Sequence, residues 1–361
     1  MTILATPATR AMAATTATVP PAWIVSRGQD LVWFQGSVLA GLALLAFFVA
    51  APHLDDASTG PWHPVLLAVL LWGIAFDGTH VWGTYARSYL AADEASRSTL
   101  PGGWSWAVLA LGPAVALFVS PLFGFFLVGA NLWGYWHLVR QHYGFLMLYR
   151  RRAGEHDRRG ARLDAMLLWV GCAYPYLRFS LSDAYVASGL PLLLPPPALA
   201  SLRLPLDLAF ALVVLALVTL VLSERIEPFR PGPKHLLLAI VTVFHLLVFA
   251  LLDNLLAILA TLTIFHNLQY HRIVWQYERG RGRVPSGSLA RYLTLGLAFG
   301  LVWYGARVFG VAATSSETTR NVLLGLGWGV AFHHYIVDGR IWRIRRSPDV
   351  ARTLDEGART S

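Results

Sequence analysis

Ten apolar segments dominate this sequence and leave few folds open to it. A helix needs about 20 mainly apolar residues to cross roughly 30 Å of hydrocarbon. The segments are separated by breaks that are rich in proline, glycine or charge, where turns are expected. They are Leu31–Ala51, Pro64–Thr84, Trp104–Ser120, Leu122–Tyr149, Asp164–Phe179, Pro205–Ser223, His235–Leu252, Leu255–Gln276, Leu289–Val311 and Asn321–Ile344. Because a backbone in lipid must satisfy its own hydrogen bonds, we expect an all-α bundle of about ten transmembrane helices.

The composition agrees with a membrane protein. Only 14% of the residues are charged, whereas a soluble domain carries about 25%. The net charge of +9 comes mainly from arginines in short loops. That placement indicates contact with membrane lipids and no nucleic-acid partner. The single cysteine, Cys172, excludes both a disulfide within the chain and a cluster of thiolate ligands.

The loops indicate how the bundle is oriented. Basic groups at residues 150–152, 279–283 and 340–346 occupy alternate loops, and basic loops stay in the cytoplasm. We therefore expect a multi-pass protein of a bacterial-type inner membrane with both termini cytoplasmic. Residues 31–346 are predicted to form one transmembrane domain, and residues 1–30 and 347–361 to be disordered tails. The first residues are rich in alanine and threonine and lack the apolar core of a signal peptide.

Histidines are unusually placed within the apolar segments. Seven of the twelve lie in the later halves of the second, fourth, eighth and tenth segments, which all run from outside to inside. They are His80, His137, His142, His266, His271, His333 and His334. At about 1.5 Å of rise per residue, these side chains share one layer near the cytoplasmic face. His245 lies in the middle of the seventh segment, and we expect it to be mainly structural.

Two segments carry a His-x-x-x-x-His pattern. His137 and His142 form one pair, and His266 and His271 form the other. Residues five apart point about 140° from each other on an α-helix, so one metal ion cannot easily take both. Either two ions or a π-bulge, which favours functional sites, would resolve this.

Carboxylates accompany two of the histidine segments. Asp77 precedes His80 by three residues, so both lie on one helical face. His334 and Asp338 are four apart and also share a face, while the adjacent His333 points about 100° away. The two neighbouring imidazoles are therefore predicted to reach different partners.

These residue types predict a metal centre. Ionisable groups inside a membrane are functional candidates by default, and neutral imidazoles with a few carboxylates suit iron, copper or zinc. Seven histidines exceed the four ligands of a zinc site and match a pair of ions. Further ligands or supporting groups are expected among Asp77, Asp338, Gln141, Gln269 and His245.

The histidine motifs resemble those of the membrane non-haem di-iron enzymes, which include fatty-acid desaturases and hydroxylases. They are also similar to the bacterial Brp/Blh-type carotene oxygenases. The resemblance covers the histidine segments only, and the desaturase His-x-x-His-His boxes are absent. It implies two iron ions, held by the seven histidines. It also implies oxygen-dependent oxidation of a lipophilic substrate, such as a fatty-acyl lipid or an isoprenoid, with electrons from a cytoplasmic donor.

Two other classes of function remain open from the sequence. Imidazoles on facing transmembrane helices also bind b-type haems in electron-transfer proteins. Alternatively, Asp77, Asp338 and the histidines would serve as a proton relay in a transporter.

Overall fold

Helices occupy all ten predicted segments. The computed structural model describes residues 22–51, 64–91, 100–223, 232–284, 287–343 and 348–359, and these contain no strand. In chain order the helices are α1 Arg27–Ala50, α2 Pro64–Arg87, α3 Gly103–Phe118, α4 Phe123–Arg152, α5 Arg158–Ser180, α6 Asp183–Ala187, α7 Pro196–Ser201, α8 Arg203–Ser223, α9 Pro233–Leu251, α10 Leu255–Gly280, α11 Leu289–Ala313, α12 Glu317–Ile341 and α13 Pro348–Arg359. The prediction of an all-helical fold is therefore confirmed for the described residues.

Within the described ranges, six helical stretches are long and apolar enough to cross a membrane. They are Arg27–Ala50, Pro64–Arg87, Ser120–Arg152, Pro196–Thr219, Pro233–Leu251 and Leu289–Val311. Helix α3 is equally apolar but shorter. Helices α10 and α12 have the length of a span, at 26 and 25 residues, but they carry buried histidine, glutamine and aspartate side chains. These polar side chains lower the average hydrophobicity of α10 and α12, which explains why neither is among the six stretches.

Helix α10 lies at the centre of the bundle. Seventeen of its residues are buried, and they include the polar residues His266, Asn267 and Gln269. Its apolar side chains join those of α1, α4 and α9 in one core. Because it contacts α1, α2, α4 and α9, a side chain on α10 meets residues from several distant parts of the sequence.

Helices α3 and α12 pack closely through glycine. Gly112 and Gly325 face each other, and a Cβ atom on either would overlap the backbone of the other. Small residues at helix interfaces allow backbones in membranes to approach closely. This contact fixes α12, and with it the positions of His333 and His334.

Three short π-helical turns interrupt the part of the bundle that the structure describes. They lie at Leu31–Gln35 in α1, Gly73–Gly78 in α2 and Leu301–Gly305 in α11. Helices α4 and α10, which carry the two His-x-x-x-x-His pairs, are α-helical throughout. The π-bulge considered for those pairs is therefore absent from both helices, and the π turn in α2 comes just before His80.

Both predicted tails contain ordered residues. The backbone amides of Ile24 and Val25 donate to the Asp30 carboxylate at 2.7 and 3.0 Å, and Ile24 is buried. At the other end, α13 packs on α10, where Gly357 lies against the backbone of Gln276. Residues 22–30 and 348–359 thus bury apolar side chains against the bundle, and the division of the chain into one domain with two tails stays a prediction. Residues 1–21 and 344–347 lie outside the described part of the chain.

Candidate metal centre

Four imidazoles converge at one buried point between α2, α4, α10 and α12. The Nε2 atom of His80 lies 2.9 Å from Nε2 of His334 and 3.3 Å from Nε2 of His266. The ring centroid of His137 lies 5.1 Å from that of His334 and 5.4 Å from that of His266. Together with Asp338, these residues are called the four-helix cluster below.

The cluster has the dimensions of a site for one metal ion. Ligand atoms of His80, His137, His334 and Asp338 all lie within 4.8 Å of one another. Atoms bound at about 2.1 Å to one ion are about 3.0–3.4 Å apart, and the two short nitrogen–nitrogen distances fall at or near that range. Small adjustments of side chains would therefore allow three imidazoles and a carboxylate to share an ion, and His266 lies beside them, with its Nε2 3.3 Å from His80 Nε2.

A hydroxyl group orients His334 and Asp338. Thr84 Oγ1 donates to Asp338 Oδ1 at 2.9 Å and lies 2.8 Å from His334 Nδ1. Since a hydroxyl has a single proton to donate, Nδ1 of His334 carries the hydrogen of their shared bond. The Nε2 lone pair then faces His80, which is the arrangement of a metal-binding imidazole held by its other nitrogen. The Tyr270 hydroxyl also donates to Asp338 Oδ1, at 2.7 Å.

Several nitrogens of the cluster have no hydrogen-bond partner among the described residues. They are His80 Nδ1, His137 Nε2 and His266 Nδ1. A buried polar group left without a partner costs about 1–3 kcal/mol. An ion bound to His137 Nε2 would remove one such cost, so this observation agrees with a metal site.

His271 and His333 lie outside the cluster. His271 Nε2 is 3.0 Å from Thr79 Oγ1, and its Nδ1 is 2.8 Å from the Tyr292 hydroxyl. His333 Nδ1 is 3.1 Å from the Tyr85 hydroxyl, and its ring stacks on Trp106 with centroids 4.0 Å apart. Both nitrogens of each imidazole have hydroxyl partners, so neither side chain is free to bind an ion in this arrangement.

His142 faces a third direction, towards α9. Its ring centroid lies 5.9 Å from that of His245 and 5.2 Å from that of Phe265. The expectation that residues five apart diverge is thus confirmed on both helices: one histidine of each pair enters the cluster and the other leaves it. The divergence of His333 and His334 is confirmed in the same way.

The remaining polar candidates support the bundle around the cluster. Asp77 accepts a hydrogen bond from the Tyr304 hydroxyl on α11. Gln141 donates to the backbone carbonyl of His266 at 2.8 Å, and Gln269 donates to that of Phe34 at 2.7 Å. These contacts connect α2, α10 and α4 to their neighbours and give these side chains a structural role.

Thr84 and Tyr270 were not predicted from the sequence, but each has a regular spacing from a histidine of the cluster. Thr84 follows His80 by four positions, and Tyr270 follows His266 by four, as Asp338 follows His334. Residues four apart share one helical face, so each cluster histidine on these helices has an oxygen-bearing neighbour one turn later. On α4 the equivalent neighbour of His137 is Gln141.

No protein-family model, curated protein or solved structure matches the chain.

Proposed function

We propose that this chain is a membrane-embedded, metal-dependent oxidoreductase that acts with oxygen on a lipophilic substrate. The convergence of four imidazoles and one carboxylate in the four-helix cluster carries this proposal. The sequence predicted two iron ions shared by seven histidines. Since four of those seven lie together, one iron ion in the cluster is the better match to the geometry.

The donor set favours iron for this chemistry. Imidazole nitrogens with a carboxylate oxygen suit iron as well as zinc, but oxidation by oxygen needs a redox-active ion, and zinc has no redox chemistry. A bound iron would supply the capacity to activate oxygen. The protein would orient the ligands through Thr84 and Tyr270, and would exclude water, since His80, His266 and His334 are 2–3% exposed.

The alternative of a haem protein is less well supported. Two axial imidazoles would have to stand on opposite faces of a wide, flat macrocycle. In the cluster, His80 Nε2 lies within 3.3 Å of two other imidazole nitrogens, which leaves no slot of that shape. A transporter relay is also less well supported, because the sequence has no internal repeat of the kind that many transporters carry.

A lipophilic substrate would approach from the α4–α12 side. His137 is the most exposed histidine of the cluster, at 9%. Tyr335 stacks on its ring with centroids 4.2 Å apart, and Trp133 stacks on Phe332 at 4.5 Å. These rings form an apolar wall between His137 and the outside of the bundle, where acyl or isoprenoid chains would be found. Hydroxylation, desaturation and cleavage would all fit such an approach.

The proposal includes the topology expected from the loops. Ten spans in a bacterial-type inner membrane would place both termini, and the ends of α2, α4, α10 and α12 that carry the cluster, on the cytoplasmic side. The basic residues near these ends, including Arg150, Arg279 and Arg340, support this orientation. A cytoplasmic electron donor could then dock close to the cluster.

Stacked aromatic rings lead from the surface to His333, which lies outside the cluster. Trp106 is 45% exposed and stacks on His333, which is adjacent in sequence to His334. Tyr89 stacks on the same imidazole with centroids 5.7 Å apart. We infer that electrons from the donor pass through Trp106 and His333 to reach the cluster.

Replacing Trp106 with leucine should slow reduction of the bound metal several-fold while the metal content stays the same. The aromatic path would be broken, but no cluster residue would be touched. Stopped-flow absorption during reduction by dithionite-reduced ferredoxin measures this rate. Trp104→Leu is the matched control, because Trp104 lies on the same turn, is 59% exposed and packs near Arg340. Equal rates in both variants would exclude this path.

Metal analysis of the purified protein tests the proposed function most directly. We expect about one iron per chain, an absorption spectrum without a haem band, and oxygen consumption when a fatty-acyl lipid or carotenoid is supplied. His271→Gln should retain the iron, because His271 is bonded to Thr79 and Tyr292. A sharp haem band, or protein free of metal after growth in iron-rich medium, would contradict the proposal.

A further inference from the structure

We propose a second metal site, in which His142 and His245 together bind one copper(I) ion. The two residues lie on α4 and α9, with ring centroids 5.9 Å apart and ring planes at 86°. His245 was expected from the sequence to be mainly structural. This proposal does not depend on the function assigned to the four-helix cluster.

Most ring nitrogens of these two residues have no hydrogen-bond partner among the described residues. Both imidazoles are fully buried. His245 Nδ1 lies 2.7 Å from the carbonyl of Val241 and therefore carries a hydrogen, which leaves a lone pair on Nε2. That Nε2 atom, and both nitrogens of His142, have no hydrogen-bond partner among the described residues. Buried polar groups are normally satisfied, so three such atoms on two facing rings point to a missing ligand.

Nearby polar side chains are already engaged. The Tyr135 ring lies 5.7 Å from that of His245, but its hydroxyl donates to the carbonyl of Cys172 at 2.7 Å. Gln269, on the His142 side, donates to the Phe34 carbonyl at 2.7 Å and lies 3.4 Å from the Gln141 amide nitrogen. Tyr135 is therefore engaged. The second amide hydrogen of Gln269 can reach one nitrogen of His142, which leaves the other nitrogen for an ion.

The spacing of the rings fits one shared ion. Two imidazoles on opposite sides of an ion, with bonds of about 2 Å, have centroids about 6 Å apart. His142 is well placed for this because it follows His137 by five residues and points about 140° away from it. Helix α4 would thus supply one ligand to each of two separate sites.

The surroundings select for an ion of low charge. The walls are aromatic: Phe265 lies 5.2 Å from His142, and Phe244 lies 6.4 Å from His245, as centroid distances. Among the described residues, neither imidazole is bonded to a carboxylate. The cost of burying an ion in such a place rises steeply with its charge, and imidazoles bind copper well. Two neutral nitrogens in an apolar pocket therefore fit monovalent copper better than a divalent ion.

Two aromatic rings separate this pair from a cavity. A cavity of 920 Å³ lies between α1, α5 and α9, and Phe249 forms part of its wall. The Phe249 ring contacts that of Tyr135 at 5.7 Å, and Tyr135 contacts His245 at the same distance. Rotation of these two rings would connect the cavity to the imidazole pair.

Anaerobic titration of the full-length protein in detergent with copper(I), against a coloured copper(I) chelator, tests the proposal. We expect one tightly bound copper in the wild type and in His334→Ala, which disrupts only the four-helix cluster. His142→Phe and His245→Phe should each lose it, and His271→Gln is the matched control that should keep it. X-ray absorption should show two nitrogen neighbours at about 2 Å.

His245→Met keeps the test decisive if the phenylalanine variants fold poorly. Thioether sulfur selects copper(I), so this variant should retain copper(I) and show one sulfur and one nitrogen neighbour. The proposal would be overturned if the wild type bound no copper, if His245→Phe retained it in a monodisperse protein, or if His334→Ala abolished it. The last result would place the copper in the four-helix cluster, and iron analysis of the same samples reports on that cluster separately.

Discussion

Alanine in place of His334 is expected to remove the metal ion from the four-helix cluster and to abolish substrate oxidation. His334 Nε2 lies 2.9 Å from His80 Nε2, and Thr84 holds its other nitrogen at 2.8 Å. The variant therefore loses a ligand and leaves the Thr84 hydroxyl with one partner fewer. Loss of a group that merely supports a ligand lowers metal affinity by about 10–100-fold, and loss of the ligand itself should exceed that. Elemental analysis of the purified variant measures the effect.

His333→Ala is the matched control for this prediction. His333 is the adjacent residue on α12, is equally buried, and has hydroxyl groups for partners instead of the cluster. We expect this variant to keep its metal, although electron transfer should slow because the stack with Trp106 is lost. If both alanine variants lost metal equally, a general loss of structure in α12 would explain the result and the assignment of ligands would be wrong.

Leucine in place of Gly325 should destabilise the protein by about 3 kcal/mol or more and should also empty the cluster. The side chain would meet the backbone of Gly112 on α3, which has no flexible atoms that can move aside. Helix α12 would be displaced, and His334 and Asp338 would move with it. Thermal unfolding in detergent, followed by metal analysis, measures both effects.

Gly339→Ala, on the same helix, serves as the comparison. A Cβ atom at this position meets nothing within 4 Å, and alanine favours a helix over glycine by about 1 kcal/mol. This variant should be at least as stable as the wild type. Similar melting temperatures for Gly325→Leu and the wild type would show that the α3–α12 contact is looser than the structure indicates.

The helices and their limits could be predicted well, because apolar length and turn residues are local signals. Every predicted segment coincides with a helix, from α1 at Arg27–Ala50 to α12 at Glu317–Ile341. The final helix α13 was missed since it is short and polar on one face, and its burial depends on a contact with α10. Such contacts between distant residues leave no local pattern.

The candidate site was predicted in part. Helical rotation correctly separated His333 from His334 and His137 from His142, because the angle between residues on one helix is fixed by their spacing. The rotation of one helix relative to another is not contained in that spacing. The sequence therefore could not indicate which member of each pair enters the cluster, or that His142 meets His245 on α9.

The repeated spacing of four after His80, His266 and His334 offers a sharper signal for similar chains. A histidine followed one turn later by threonine, tyrosine or aspartate provides a ligand and a group that can hold a neighbouring ligand. In this protein the three oxygen-bearing side chains meet: Thr84 Oγ1 lies 2.7 Å from the Tyr270 hydroxyl, and both bond to Asp338. A pattern that recurs on separate helices is thus more informative than the number of histidines.

The positions of the cluster residues in the sequence determine when the cluster can form during synthesis. His80 and His334 are in contact although 254 residues separate them, and α12 is the last helix before the terminal α13. A growing chain therefore cannot assemble the cluster until α12 has been synthesised. Products that end before α12 would lack His334 and Asp338, so they would bind metal weakly. Under the proposed function, metal would be loaded only after α12 has joined the bundle, and a partly assembled site would not be exposed to oxygen.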